Sequence, residues 1–396
     1  METQTSSNGL TKVQVLIMAI AAGVCVANIY YNQPILNDIA ASFRVSEGEA
    51  GSISVLSQIG YGLGLFFLIP LGDKINKKKL ILCLLVCLFC LLIAMTFSQN
   101  ILQAGILSIA IGITTVSAQV ILPLAASIDR VTTGQTVGNI FTGILIGILG
   151  ARVFSGYITE WLTWRYVYGF SAVMILIITV LLQIYLPNVN NDFEGYYWEL
   201  LKSTLHQLKR FPLLRETSLI GGLLFGVFCS FWTTLTFHLS GAPFYFQSDI
   251  IGIYGFVAIV AALAAPVFGK LADKGNSQRS LTLAVSLVIA SLVIAKIAAN
   301  SALAIAVAVL LIDVGVQAMQ VTNLARIYTL DAQSNSRINT VYMTTYFIGG
   351  AVGTSFGLLC WNLGGWNLVT WQMLVMTLLA FFVIVRPKIT KPRTNH

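Results

Sequence analysis

About twelve apolar stretches, each close to the length that crosses a bilayer, fix what this chain can fold into. A membrane-spanning helix takes roughly 20 mostly apolar residues, and its backbone groups pair within the segment because hydrocarbon offers no partners. The stretches are 13–33, 50–71, 79–97, 101–127, 135–159, 165–187, 216–239, 249–270, 280–298, 302–328, 338–360 and 367–386. Only 10% of the residues are charged, against about 25% in soluble domains. Such a chain cannot coat a water-facing surface. The expected fold is all-α: a polytopic membrane protein of twelve transmembrane helices, with membrane lipid as its surroundings.

The charged residues lie between the stretches. Leu71-Gly72-Asp73-Lys74-Ile75-Asn76-Lys77-Lys78-Lys79 joins the second and third spans, and Gly269-Lys270-Leu271-Ala272-Asp273-Lys274 follows the eighth. Runs like these must be turns at a membrane surface. With the N-terminus inside, nineteen of the 23 Lys and Arg fall on the cytoplasmic side. Arg44, Arg165 and Lys296 fall outside, and Arg152 lies within a span. Positive residues retained inside set topology, so both termini are expected in the cytoplasm. The net charge of +8 is spread over separate loops, and no nucleic-acid partner is expected from it. Met1 to Gly9 has no basic n-region, so no cleaved signal peptide is expected.

The longest polar stretch, Asn188 to Arg215, carries Trp198, Leu201, Leu205 and Leu208 at helical spacing beside Lys202, Lys209 and Arg210. That pattern fits an interfacial helix lying on the membrane. Asn139, Gly150 and Trp161 recur as Asn339, Gly350 and Trp361, offset by 200 like the two Asp turns. A parallel repeat of two pseudo-symmetric six-helix bundles follows. The expected units are 1–187, a cytoplasmic linker 188–215, and 216–396. The six cysteines sit in apolar spans and are read as packing residues, the Cys87/Cys90 pair included.

Twelve spans, a central linker and an Asp-basic turn between spans two and three resemble the major facilitator superfamily. The second half carries the family's loop motif as Gly269 to Lys274, whereas the first half has Ile69 where the leading Gly would stand. Within that superfamily the chain is similar to bacterial drug/proton antiporters and to sugar or metabolite efflux permeases, over essentially its whole length. Phe231-Trp232-Thr233-Thr234-Leu235 and Leu311-Ile312-Asp313-Val314-Gly315-Val316-Gln317 add to the likeness. The resemblance implies the inner membrane, a small-molecule substrate, a monomer and no cofactor.

It also implies a cytoplasmic gate. In the family the motif Asp pairs with an Arg ending a neighbouring helix; here Asp73 and Lys74 stand with Arg130, and Asp273 with Arg326. The plainer reading of either Asp is a helix-capping turn acid. Asp313 lies deep in the tenth span, where a carboxylate is costly unless it is protonated, paired or facing water. It either carries protons or is a structural acid satisfied by its neighbours. Arg152, beside Gly143, Gly147 and Gly150 in the fifth span, binds an anionic substrate, pairs with Asp313 or snorkels outward. The family's coupling Arg in the fourth span is absent, with Ser108 in its place. His238, near the end of the seventh span, has the right ordinary pKa for proton exchange, or is merely interfacial. No histidine spacing builds a metal site.

By the resemblance, spans one, four, seven and ten line a central cavity. Substrate contacts would then come from Asn28, Tyr31, Asn32 and Gln33 on the first, and Thr115 and Gln119 on the fourth. The seventh would add Trp232, Thr233 and Thr236, and the tenth Gln317, Gln320 and Asn323. Interhelical hydrogen bonding is the competing use of the same side chains. Tyr342 and Tyr346 of the eleventh span are weaker candidates. The leading expectation is a secondary transporter working by alternating access, proton-coupled and exporting small organic compounds. Uptake or exchange of an anionic metabolite gripped by Arg152 is the alternative. The chain has no phosphate-binding G-x-x-x-x-G-K-[ST] loop, and no nucleophile–base pair for an enzyme.

Overall fold

The computed structural model describes residues 10–128, 133–188, 196–257, 277–331 and 334–386, where the regular structure is helical. The first half comprises α1 (Lys12–Tyr30), a 3-10 turn (Gln33–Ile35), α2 (Leu36–Phe43), α3 (Glu47–Lys74) and α4 (Lys77–Thr96). It continues with α5 (Ile101–Thr115), α6 (Ser117–Ile128), α7 (Thr133–Trp161) and α8 (Trp164–Tyr185). After α9 (Tyr197–Arg210) come α10 (Pro212–Ser240), α11 (Ser248–Val257), α12 (Ser277–Ile297), α13 (Ala302–Tyr328) and α14 (Asn335–Val385).

Helix starts follow from local chemistry. Thr11 with Gln14 and Ser46 with Glu49 form capping boxes, and the side chains of Asn76, Asn100 and Ser301 each accept from a backbone N–H three residues on. Helix ends and breaks are equally local. α14 holds two spans, separated at Gly364–Gly365. Gly365 has φ 57° and ψ −153°, a conformation open in practice only to glycine. The eighth expected span is described only as far as Val257, and its remainder lies outside the described residues.

Two expected spans are longer or less regular than the apolar pattern indicated. The first does not stop at Gln33. Pro34 breaks the helix into the 3-10 turn, and the chain runs on through α2 to Arg44, which ends it with a left-handed φ of 56°. The fourth is split at Val116 into α5 and α6. The cysteines also differ from expectation: Cys25 and Cys229 are buried, but Cys83, Cys87 and Cys90 lie exposed on α4.

Within each half an equivalent crossing brings backbones into contact. A Cβ on Gly147 would stand 2.2 Å from the Gly23 carbonyl oxygen, where α7 crosses α1. A Cβ on Gly353 would stand 2.3 Å from the Gly226 Cα, where α14 crosses α10. Small residues four apart permit this approach in hydrocarbon, where packing rather than water drives association. The same crossing in both halves is the structural counterpart of the sequence repeat.

The halves meet along two seams. On one, α3 faces α14, with the Tyr61 and Phe347 ring centroids 4.3 Å apart. On the other, α7 faces α11, and Gly252 and Gly255 make room for the Arg152 backbone and Cβ. α9 lies across the basic ends of the helices. Tyr197 donates its hydroxyl proton to the Phe67 carbonyl at 2.6 Å, and Arg210 pairs with Asp331 at 2.8 Å. Its protein-facing residues are Leu200, Leu201, Thr204 and Gln207, while Trp198 and Leu205 point away. An amphipathic helix with aromatic and basic outer residues suits a membrane surface.

Candidate functional site

A cavity of about 130 Å³ lies at the centre, between α1, α3, α6 and α7 of the first half and α10, α13 and α14 of the second. Its walls combine rings, among them Tyr30, Tyr61, Phe225, Phe228, Tyr346 and Phe347, with aliphatic side chains such as Ile144, Ile148 and Val316. Phe225 stacks on Tyr346 with centroids 3.9 Å apart. The polar residues in the wall are Asp313, Gln119, Gln317, Gln320 and Asn339. Gln119, Leu122, Tyr328, Asn339 and Met343 are shared with a wider space of about 570 Å³ that reaches Asn335 and Ser336, beside the basic helix ends. The cavity is therefore approached from the face that carries Lys77 to Lys79.

The opposite face is closed by hydrogen bonds between the halves. Thr236 on α10 donates to the Gln33 carbonyl at 2.7 Å. Ser248, opening α11, lies 3.2 Å from the Pro34 carbonyl and also bonds the Asp38 carboxylate. The Trp361 indole donates to Glu47 at 2.6 Å, and Leu36, Phe237 and Leu358 pack together behind it. The cavity is thus open toward the basic face and closed at the opposite one.

Arg152 lies outside the cavity lining, behind Tyr30 and Phe228 of its wall. It is 1% exposed, with its Nε donating to the Gln33 side-chain oxygen at 2.8 Å. Its guanidinium lies 3.8 Å over the Trp232 ring and 5.4 and 5.6 Å from the Tyr30 and Phe228 centroids. Its backbone and Cβ belong to the α7–α11 seam. Asp313, 2% exposed, interacts electrostatically with Arg152 and accepts a side-chain hydrogen bond from the Trp232 indole. Yet Arg152 and Asp313 form no ion pair within 4.0 Å. Arg152 Nη1 and Nη2 find no hydrogen-bond partner among the described residues.

Of the substrate contacts expected from sequence, Gln119, Gln317 and Gln320 line the cavity. Others serve the helix bundle. Asn28 accepts from Ser171 at 2.8 Å, and Asn32 accepts from Ser54 at 2.8 Å. Thr115 returns its hydroxyl to the Ile111 carbonyl, and Asn323 reaches the Thr217 carbonyl. Tyr31 packs on Phe154, and Thr233 is buried off the cavity. Gln33, Trp232 and Thr236 join Arg152 and the closed face instead. His238 is away from the centre: its ring stacks on Trp366 at 4.4 Å, with Nε2 2.9 Å from the Ala299 carbonyl. Of the expected gate, Arg326 pairs with Glu216 at 2.6 Å, and Lys74 is exposed in the last turn of α3. Arg130, Asp273 and the Asp73 side chain lie outside the described residues.

The ring wall was missed because aromatic residues in a membrane span carry no distinguishing cost. Tyr346, the weaker candidate from sequence, lines the cavity, and on α1 Tyr30 does so rather than its neighbour Tyr31. Asn339, one of the repeat positions, could have been picked out as an amide within a span. Among the described residues no group of three or more His, Cys, Asp or Glu could hold a metal ion.

The profile of the Major Facilitator Superfamily matches residues 18–354. The chain is 33% identical over 357 residues to the uncharacterized transporter YgaY of Escherichia coli O157:H7, covering 90% of this chain and 91% of that one. It is 26% identical over 355 residues to the probable transporter SCO4007 of Streptomyces coelicolor, covering 87% and 82%. In fold it is similar to a bacterial homolog of the human lysosomal transporter Spinster, solved inward-facing and unoccupied. The TM-score is 0.75 at 12% identity over 97% of both chains. With twelve-span architecture, a central cavity between two halves and these relatives, the chain belongs to the major facilitator superfamily of membrane transporters.

Proposed function

We propose that this chain is a proton-coupled secondary transporter that exports small organic compounds by alternating access, and that it is not an enzyme. The observation that carries this reading is Asp313, the carboxylate in the wall of a ring-lined cavity, buried mid-span. A carboxylate in that setting either takes a proton or takes a partner from the cavity. Proton and substrate then compete for it, and their competition couples the two flows. The positive-inside distribution makes the basic face cytoplasmic in the inner membrane, with both termini there. The open face is then the one from which an exporter loads.

The rocking units are 1–187 and 216–396, joined by 188–215, and the protein works as a monomer. In the opposite state the basic face is latched by Asp73, Lys74 and Arg130 and by Asp273 and Arg326. His238 is left out of the coupling because its ring is committed to Trp366 and Ala299.

The test uses inside-out vesicles holding an acid-inside pH gradient, a compound panel, and wild type beside Asp313→Asn. Collapse of the gradient by some compounds, lost in the variant, is the expected result. Collapse that survives in the variant would remove Asp313 from the mechanism. No response to any compound would overturn proton-coupled export. The second reading, exchange of an anionic metabolite, is favoured by the unpartnered Nη1 and Nη2 of Arg152.

A further inference from the structure

We propose that the outer groove between α3 and α14 holds one acyl chain of an anionic phospholipid, with the lipid phosphate against Lys202 and Lys209 of α9. The site lies outside the central cavity and does not depend on what that cavity carries.

The groove encloses about 710 Å³, against about 130 Å³ for the central cavity. Ile59, Leu63 and Phe67 form its α3 wall, Ile348, Val352 and Phe356 its α14 wall. Leu205 and Leu208 of α9 close it at the basic face. All six wall side chains are between 38% and 54% exposed, so the groove opens outward, toward hydrocarbon. The hydroxyls in its lining are spent on their own helix: Thr345 donates to the Val341 and Tyr342 carbonyls, and Ser355 to that of Ala351.

Water does not enter such a space within a bilayer, and apolar walls left bare forfeit their dispersion contacts. A lipid tail is the group at hand to fill it. From Val341 to Phe356 the α14 wall runs for about 22 Å. The tail region of one leaflet is half of a hydrocarbon core about 30 Å thick, so one tail fits along its length. One wall comes from each half of the chain, and the occupant therefore bridges the seam.

The head end identifies the lipid. Trp198, Lys202, Leu205 and Lys209 follow one another at steps of four, three and four residues, a single stripe along α9. All four are exposed, and Leu205 of that stripe lines the groove. The two lysines thus stand one on either side of the groove residue. Among the described residues neither forms an ion pair, whereas neighbouring Arg210 is engaged by Asp331. The helix is fixed in this position by the Tyr197 hydroxyl on the carbonyl of Phe67, itself part of the α3 wall. Lysines at the membrane surface attract a head of net negative charge, whereas a choline head sets its own cation against them.

The test is native mass spectrometry of the purified full-length protein, titrated with dioleoyl phosphatidylglycerol or with dioleoyl phosphatidylcholine, which differ only in the head. One phosphatidylglycerol per chain should bind about 25-fold more tightly than phosphatidylcholine, since each lysine near an anionic head contributes about fivefold. Lys202→Gln with Lys209→Gln should bring the first lipid down to the second, and the paired change to Arg should preserve the difference. Gly62→Leu fills the groove. Its new Cβ comes no closer than 3.8 Å to any neighbour, so the packing is kept and both lipids should lose the site. Val352→Trp blocks the exposed wall instead, and replaces Gly62→Leu if that variant is not monodisperse. Glycerol phosphate, a head without tails, should not compete. Equal binding of the two lipids to wild type, binding that survives the groove variants, or competition by glycerol phosphate would overturn the inference. A lipid-free two-chain species, lost in Gly62→Leu, would give the groove to a second copy and overturn it equally.

Discussion

Thr236→Val isolates one hydrogen bond of the closed face. Threonine and valine have nearly the same shape, so the change removes the hydroxyl and little else. That hydroxyl donates to the Gln33 carbonyl across the two halves at 2.7 Å, and both residues are buried. In the opposite state the face opens and both groups meet water, so the bond weighs only on the state described here. A neutral hydrogen bond contributes about 1 kcal/mol net, and an unpaired buried carbonyl adds a penalty of about 1 kcal/mol or more. The sum of about 1–2 kcal/mol moves a two-state equilibrium by about 5- to 30-fold. Spin labels at Ala41 and Leu303, exposed on that face of opposite halves, read the change as a distance distribution. A background with all six cysteines replaced keeps the labels specific. The long-distance population should rise in the variant. Distributions that superimpose on wild type would refute the assignment of this bond as a gate.

Two further substitutions test the packing and the buried pair. Gly147→Leu or Gly353→Leu places side-chain atoms on a backbone 2.2 or 2.3 Å from the new Cβ, and should abolish a monodisperse peak in size-exclusion chromatography. Gly138→Ala, with nothing within 4 Å of the new methyl, should elute like wild type. Arg326→Ala breaks a pair at 2.6 Å whose arginine side chain is 8% exposed. It should lower thermal stability by about 3 kcal/mol. Adding Glu216→Gln should recover part of that loss, whereas strict additivity would count against the pair.

The twelve-span plan was legible because bilayer thickness imposes a length, and length survives in a sequence. Helix rotation did not survive. α1 is apolar nearly all round, so no stripe distinguishes Tyr30 from Tyr31, and the wrong one was chosen. Asp313 and Arg152 were legible because a charge in hydrocarbon demands a reason. The amides Gln317 and Gln320 were found on the same logic, while Asn28 and Asn32 obeyed it by bonding to Ser171 and Ser54 instead. The rings of Phe225, Phe228 and Phe347 cost nothing in a span and so gave no signal. Gln33 was named for its type, but its two tasks, side chain to Arg152 and carbonyl to Thr236, exist only in three dimensions.

α9 has a mechanical consequence. Its 14 residues make a rod about 21 Å long. Only Phe211 separates it from α10, and Arg215 clasps the elbow by donating to the Leu208 and Lys209 carbonyls. In the proposed rocking of 1–187 against 216–396 the rod swings with the second half, like a lever arm fixed at its base. Its hydroxyl contact at Phe67, on the first half, is then the joint that slips.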